Sequence, residues 1–88
     1  MEESTKKLLG VRIKELRKTR GLSQEQLSKK IDIDPKHLSR LEVGRSFPSL
    51  DTLEKLANAL QVDLRDFFEF THEAKNTKEL KEIISNLL

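Results

Sequence analysis

Residues 22–44 read LSQEQLSKKIDIDPKHLSRLEVG, a stretch with two complete helix-start signals in close succession. Ser23 is a good N-cap, Gln26 stands where a third helical residue can bond back to the cap, and Leu22 can staple onto Leu27. Asp34 repeats the device. It precedes Pro35, whose missing N–H costs nothing at the first helical position, and Ile33 can staple onto Leu38. The spacing predicts helices over 24–30 and 35–42, the second closed by Gly44. The connection from Ile31 to Asp34 is too short to let them run antiparallel, so they must cross steeply.

Working outward, Leu9, Ile13 and Leu16 recur at helical spacing among basic residues and predict a helix over 6–20, ended by Gly21. Residues 1–5 are polar and expected to fray. On the other side Ser49, after Pro48, caps a helix predicted over 50–60 that should bury Leu50, Leu53, Leu56, Ala57 and Leu60. Asp63 caps a helix predicted over 64–70 that should bury Leu64, Phe67 and Phe68, with Val62 as its staple. No strand pattern and no repeat appears. The expected fold is all-α, a five-helix bundle over 6–70. A polar linker follows from Thr71 to Asn76, and then a further amphipathic helix, capped by Asn76, on which Leu80, Ile83, Ile84, Leu87 and Leu88 share a face.

Composition narrows the function. With 88 residues and 36% charged, the chain has room for one modest core. Its mean hydropathy of −0.60 implies a wet surface. The absence of Cys excludes disulfides, thiolate zinc sites and thiol nucleophiles. No apolar run reaches membrane-spanning length and no leader pattern opens the chain, so a cytoplasmic protein without a membrane partner is expected. The net charge of +2 conceals a division. Residues 1–45 hold twelve Lys/Arg against seven Asp/Glu, and residues 46–88 hold five against eight. The basic half suits a polyanion, although such runs also occur as plain solvated helix faces.

Three segments in order carry a resemblance: RIKELRKTRGLSQEQLSKKI at 12–31, RLEVG at 40–44 and FPSLDTLEKLANALQVDLRDFF at 47–68. Together they resemble the phage-repressor-like (Xre-type) helix-turn-helix family over about residues 8–68. The resemblance implies a lambda-repressor-like five-helix fold whose second motif helix enters the major groove, and operator binding by dimers on inverted repeats. Two positions depart from the pattern. Asp32 stands where the turn usually has Gly, and Asp is among the few residues that tolerate a left-handed backbone. Ser28 stands where Ala is common, and is still small enough for close helix approach.

Residue by residue, the resemblance places base readout on Pro35, Lys36, His37 and Arg40. Lys and Arg suit guanine O6 and N7, whereas Pro35 can offer only apolar contact. It places a phosphate contact on Gln24, where the amide would act beside helix N-terminal N–H groups. Ser39, Arg45 and Ser46 are further phosphate candidates. It also pairs Arg17 with Glu42 as a structural ion pair that fixes the angle of the recognition helix. Each of these residues can instead be read as an ordinary exposed polar group.

No cofactor is implied, and two rival classes remain. An enzyme finds little support: no glycine-rich phosphate loop exists, and Glu69, His72 and Glu73 on one helix end make a poor metal site compared with a solvated triplet. An antitoxin or adaptor that binds a protein partner, such as a toxin or an antirepressor, fits the acidic half and the apolar tail. The tail itself must be covered, either by a second copy in a homodimer or by docking on its own domain.

Overall fold

The computed structural model describes residues 2–70, with side chains from residue 5 onward. Its elements are α1 (Glu2–Thr19), α2 (Gln24–Lys30), α3 (Pro35–Glu42), α4 (Leu50–Leu60) and a 3-10 helix (Leu64–Phe68), with no strand among the described residues. The all-helical class and the order of elements are as expected. Three boundaries differ, the smallest being the end of α1 at Thr19, one residue before the expected Arg20. Helix α1 begins at Glu2 and not at Lys6, because apolar periodicity marks only the part of a helix that meets a core. The last element is a 3-10 helix ending at Phe68 and not an α-helix reaching Phe70.

The starts are fixed by local hydrogen bonds. Ser23 Oγ accepts from Gln26 N at 3.0 Å while Gln26 Oε1 accepts from Ser23 N at 2.8 Å, a reciprocal capping box. Asp34 Oδ1 accepts from Lys36 N at 2.8 Å, and Ser49 Oγ accepts from Thr52 N at 3.1 Å. At the 3-10 helix the Asp66 carboxylate reaches back and accepts from Asp63 N at 2.9 Å.

Leu9 and Ile13 of α1, Leu27 of α2, Leu38 and Leu41 of α3, Leu53, Leu56 and Leu60 of α4, and Phe67 close one core. Two residues expected inside lie at its edge. Leu50 is 65% exposed and Leu64 is 37% exposed, each being the first residue of its helix, where the stripe runs past the end of the core. Phe68 is half-buried against the core, whereas Phe70, beyond the helix, is buried and meets Phe68 edge-on at 6.2 Å between ring centroids.

Two arginines of the α1 segment hold the far end of the bundle. Arg20 Nε donates to the Leu60 carbonyl at 2.7 Å and Nη2 to the Gln61 carbonyl at 3.2 Å, occupying acceptors that the end of α4 leaves open. Arg12 Nε donates to the Asp66 carbonyl at 2.7 Å. The charges of Arg12 and Arg20 are therefore committed to the fold.

Candidate nucleic-acid interface

Helix α3 has two unlike faces. Leu38 and Leu41 are buried in the core, and the turn before the helix presses Ile31 and Ile33 inward. That turn is made by Asp32, whose φ of 58° is left-handed, and it is closed by Ile33 N donating to Ser28 O at 2.9 Å. Buried Ser28 sits there with its Oγ donating to Glu25 O at 3.0 Å, so its hydroxyl is satisfied within α2. On the outward face Pro35, Lys36 and Arg40 are exposed, and His37 and Ser39 are half-buried. Lys36 and Arg40 stand one turn apart on one side of the helix.

The rear of α3 is held by charge as well as by packing. Arg17 Nε lies 2.7 Å from Glu42 Oε2 and Nη2 lies 3.0 Å from Oε1, a two-bond pair with side-chain exposures of 8% and 1%. Such a fork fixes orientation as well as distance. Arg17 Nη1 also donates to the Leu22 carbonyl at 2.7 Å, tying the α1–α2 connection to the same guanidinium. Gln24 is half-buried and donates from Nε2 to Glu42 Oε1 at 2.9 Å. The end of α3 is thus tied to both helices that precede it.

The loop after α3 lies on α1. Gly44 has a φ of 79°, and a β-carbon built there would lie 2.9 Å from Lys7 Cα, so both conformation and space exclude a larger residue. Lys6 Nζ stands 5.8 Å from the centre of the Phe47 ring. Arg45 is exposed, with its N–H donating to the Arg40 carbonyl at 2.9 Å, and Ser46 is half-buried.

The charge distribution follows from these commitments. Ion pairs among the described residues engage Arg12, Arg17, Lys55 and Arg65, whereas Lys29, Lys30, Lys36, Arg40 and Arg45 enter none. Cations left for an outside partner therefore include those of α2, α3 and the following loop. Elsewhere, Glu69 lies 3.8 Å from Arg12, and no three His, Cys, Asp or Glu residues converge among the described residues. No helix of the described residues is long and apolar enough to cross a membrane. His72, Glu73 and the stripe of Leu80, Ile83, Ile84, Leu87 and Leu88 lie outside the described residues.

Sequence reasoning missed the bond from Gln24 to Glu42, the Arg12 and Arg20 bonds to backbone carbonyls, and the close packing of Gly10 against the Leu41 and Glu42 carbonyls at the end of α3. None of the hydrogen bonds has a local signal, because the partners are distant in sequence. Gly10 did leave a signal: a glycine inside a helical pattern costs about 1 kcal/mol relative to Ala and so calls for a packing reason.

Comparison with known proteins agrees with the all-helical fold. A family model described as Helix-turn-helix matches residues 13–67. The chain is similar to the immunity repressor protein of Bacillus phage phi105, at 34% identity over 85 residues, covering 90% of the chain and 59% of that protein. It therefore spans little more than half of that relative. Among solved structures it is similar to the restriction-modification controller protein C.AhdI from Aeromonas hydrophila, at 36% identity and a TM-score of 0.67, covering 69% of this chain and 92% of that one. It is also similar to part of Bacillus thuringiensis PlcR, solved with the peptide PapR7 and DNA, at 41% identity and a TM-score of 0.66, covering 73% of this chain and 22% of that one.

Proposed function

The chain belongs to the helix-turn-helix family, and on that premise we propose that it is a cytoplasmic, sequence-specific DNA-binding regulator of transcription, a repressor that works as a homodimer. It is a binding protein and not an enzyme. The observation that carries this reading is the division of α3: one face locked by the core and by Glu42, the other presenting Lys36 and Arg40 without ion-pair partners. A rigid helix with free cations on its outer face suits the major groove, where Arg and Lys read guanine. PlcR, similar over this domain, was solved with DNA, and the phi105 relative is an immunity repressor.

Pro35, Lys36, His37 and Arg40 read base edges in this proposal, and Gln24, Ser39, Arg45 and Ser46 hold phosphates. The homodimer places two such helices on an inverted repeat, with half-site centres ~34–36 Å apart. Leu80, Ile83, Ile84, Leu87 and Leu88 supply or reinforce the two-fold contact.

Selection of bound duplexes from a random DNA pool, followed by titration at rising salt, tests the reading. The expected product is an inverted repeat whose log affinity falls linearly with log salt concentration. A chain that enriches no sequence, or whose affinity ignores salt, overturns it.

A further inference from the structure

We propose that Gln24 is a positioning residue that couples the protein's hold on a DNA phosphate to the placement of its recognition helix. The inference rests on the DNA-binding reading above and assigns this residue a second duty within it. A backbone contact alone would leave its amide free on the surface until DNA arrived. Here the amide is already bound: Gln24 Nε2 donates to Glu42 Oε1 at 2.9 Å. Glu42 is the last residue of α3, and its side chain is 1% exposed.

Three donors converge on that carboxylate, Nε and Nη2 of Arg17 and Nε2 of Gln24. They come from α1 and α2, so one buried anion is the common reference for both helices and for the end of the recognition helix. Arg17 is held in turn by the Leu22 carbonyl, which keeps the reference from turning.

A carboxamide nitrogen carries two hydrogens. One is used on Glu42, and because Gln24 is only half-buried the other remains for an outside acceptor. A phosphate oxygen taking that hydrogen is fixed relative to Glu42, and hence relative to Lys36 and Arg40 on the same helix. The glutamine has also given up its rotamer freedom before binding, which lowers the ordering cost of the contact. Specific binding needs phosphate and base contacts satisfied together, whereas binding to random DNA needs the phosphate contacts alone. A loosened Gln24 must therefore damage the first more than the second.

The test compares the full chain with Gln24→Met, which keeps reach but loses both donors, and with Gln24→Ala. The probes are the duplex enriched by selection and a scrambled duplex of the same length, at one salt concentration. Both variants are also combined with Arg40→Ala, and circular dichroism establishes the temperature at which all the proteins are folded. Coupling predicts that each Gln24 variant loses about tenfold more affinity for the selected duplex than for the scrambled one. It also predicts that Arg40→Ala costs less in a Gln24 variant than in the parent, since a misplaced arginine has less to lose. Simple loss of stability lowers the active fraction for both probes equally and leaves their ratio unmoved. Equal losses on the two duplexes, with the Arg40→Ala penalty unchanged, overturn the coupling while leaving the DNA-binding reading intact. A parent chain that does not prefer the selected duplex overturns that reading, and the coupling with it.

Discussion

Gly10 of α1 packs so tightly on the end of α3 that a β-carbon built on it would lie 2.5 Å from the Leu41 carbonyl oxygen. The Glu42 carbonyl oxygen would be 2.6 Å away. Two effects oppose each other at this position. Replacing a mid-helix Gly by Ala gains about 1 kcal/mol of helix propensity. Forcing a methyl group against backbone, which cannot swing aside like a side-chain end, costs about 1–3 kcal/mol. Packing should win, and Gly10→Ala is expected to lower stability by up to about 2 kcal/mol in urea unfolding. Because α3 is the element displaced, the selected duplex should also bind less tightly. A stabilised Gly10→Ala variant would show that the approach is looser than this geometry requires.

The Arg17–Glu42 pair makes a sharper statement about energy. Truncating one partner leaves the other charge buried and unpaired, which typically costs about 3–5 kcal/mol. Replacing both with apolar residues of similar volume can be nearly neutral. Arg17→Met and Glu42→Leu should therefore each destabilise strongly, and the double variant should lose clearly less than the two single losses combined. Strict additivity in a double-mutant cycle would mean that the pair contributes no coupling.

The legible features were those written in adjacent residues. Ser23 with Gln26, Asp34 with Pro35, and Ser49 each announce a helix through bonds spanning two or three positions, and the structure forms those bonds. What stayed illegible depends on distance or on the edge of the core. Periodicity placed Leu50 on the inner stripe of its helix, but cannot tell where the opposing surface ends. Gln24 was read as a group facing DNA, because nothing local indicates that Glu42 comes within 2.9 Å of it.

Two left-handed residues without glycine's freedom offer a stabilising change. Asp32 and Gln61 adopt φ values of 58° and 57°. A left-handed backbone costs an L-residue roughly 1–2 kcal/mol, less for Asp, while glycine adopts it freely but loses more entropy on folding. Gln61→Gly should raise stability by about 0.5–1 kcal/mol, and Asp32→Gly by less. The bond from Arg20 to the Gln61 carbonyl uses backbone and survives the change. Thermal unfolding decides the matter: an unchanged or lowered midpoint for Gln61→Gly contradicts it.

Base readout and phosphate contact separate in a paired substitution outside the Glu42 cluster. Arg40→Ala should cost about 1–3 kcal/mol against the selected duplex and relax preference at one base pair. Arg45→Ala should weaken selected and scrambled duplexes by a similar factor and reduce the salt slope by about one. If Arg40→Ala instead lowers affinity equally for both duplexes, the outer face of α3 does not read sequence through this residue.

The tail carries the last prediction. Leu80, Ile83, Ile84, Leu87 and Leu88 lie outside the described residues; their spacing in the sequence predicts a short helix with five large apolar side chains on one face. Burying each is worth roughly 1.5–3 kcal/mol, so some surface must cover them. An inverted repeat needs two recognition helices held about one DNA turn apart, which a second copy provides and self-docking does not. Sedimentation should find the full chain dimeric, and a version ending at Glu73 monomeric, at the same concentration. The shortened protein should remain folded and bind the inverted repeat no more tightly than a single half-site. If both proteins are equally dimeric, the two-fold contact lies within residues 1–73. A full chain that stays monomeric at high concentration, with a melting point that falls on shortening, would mean that the tail covers its own domain.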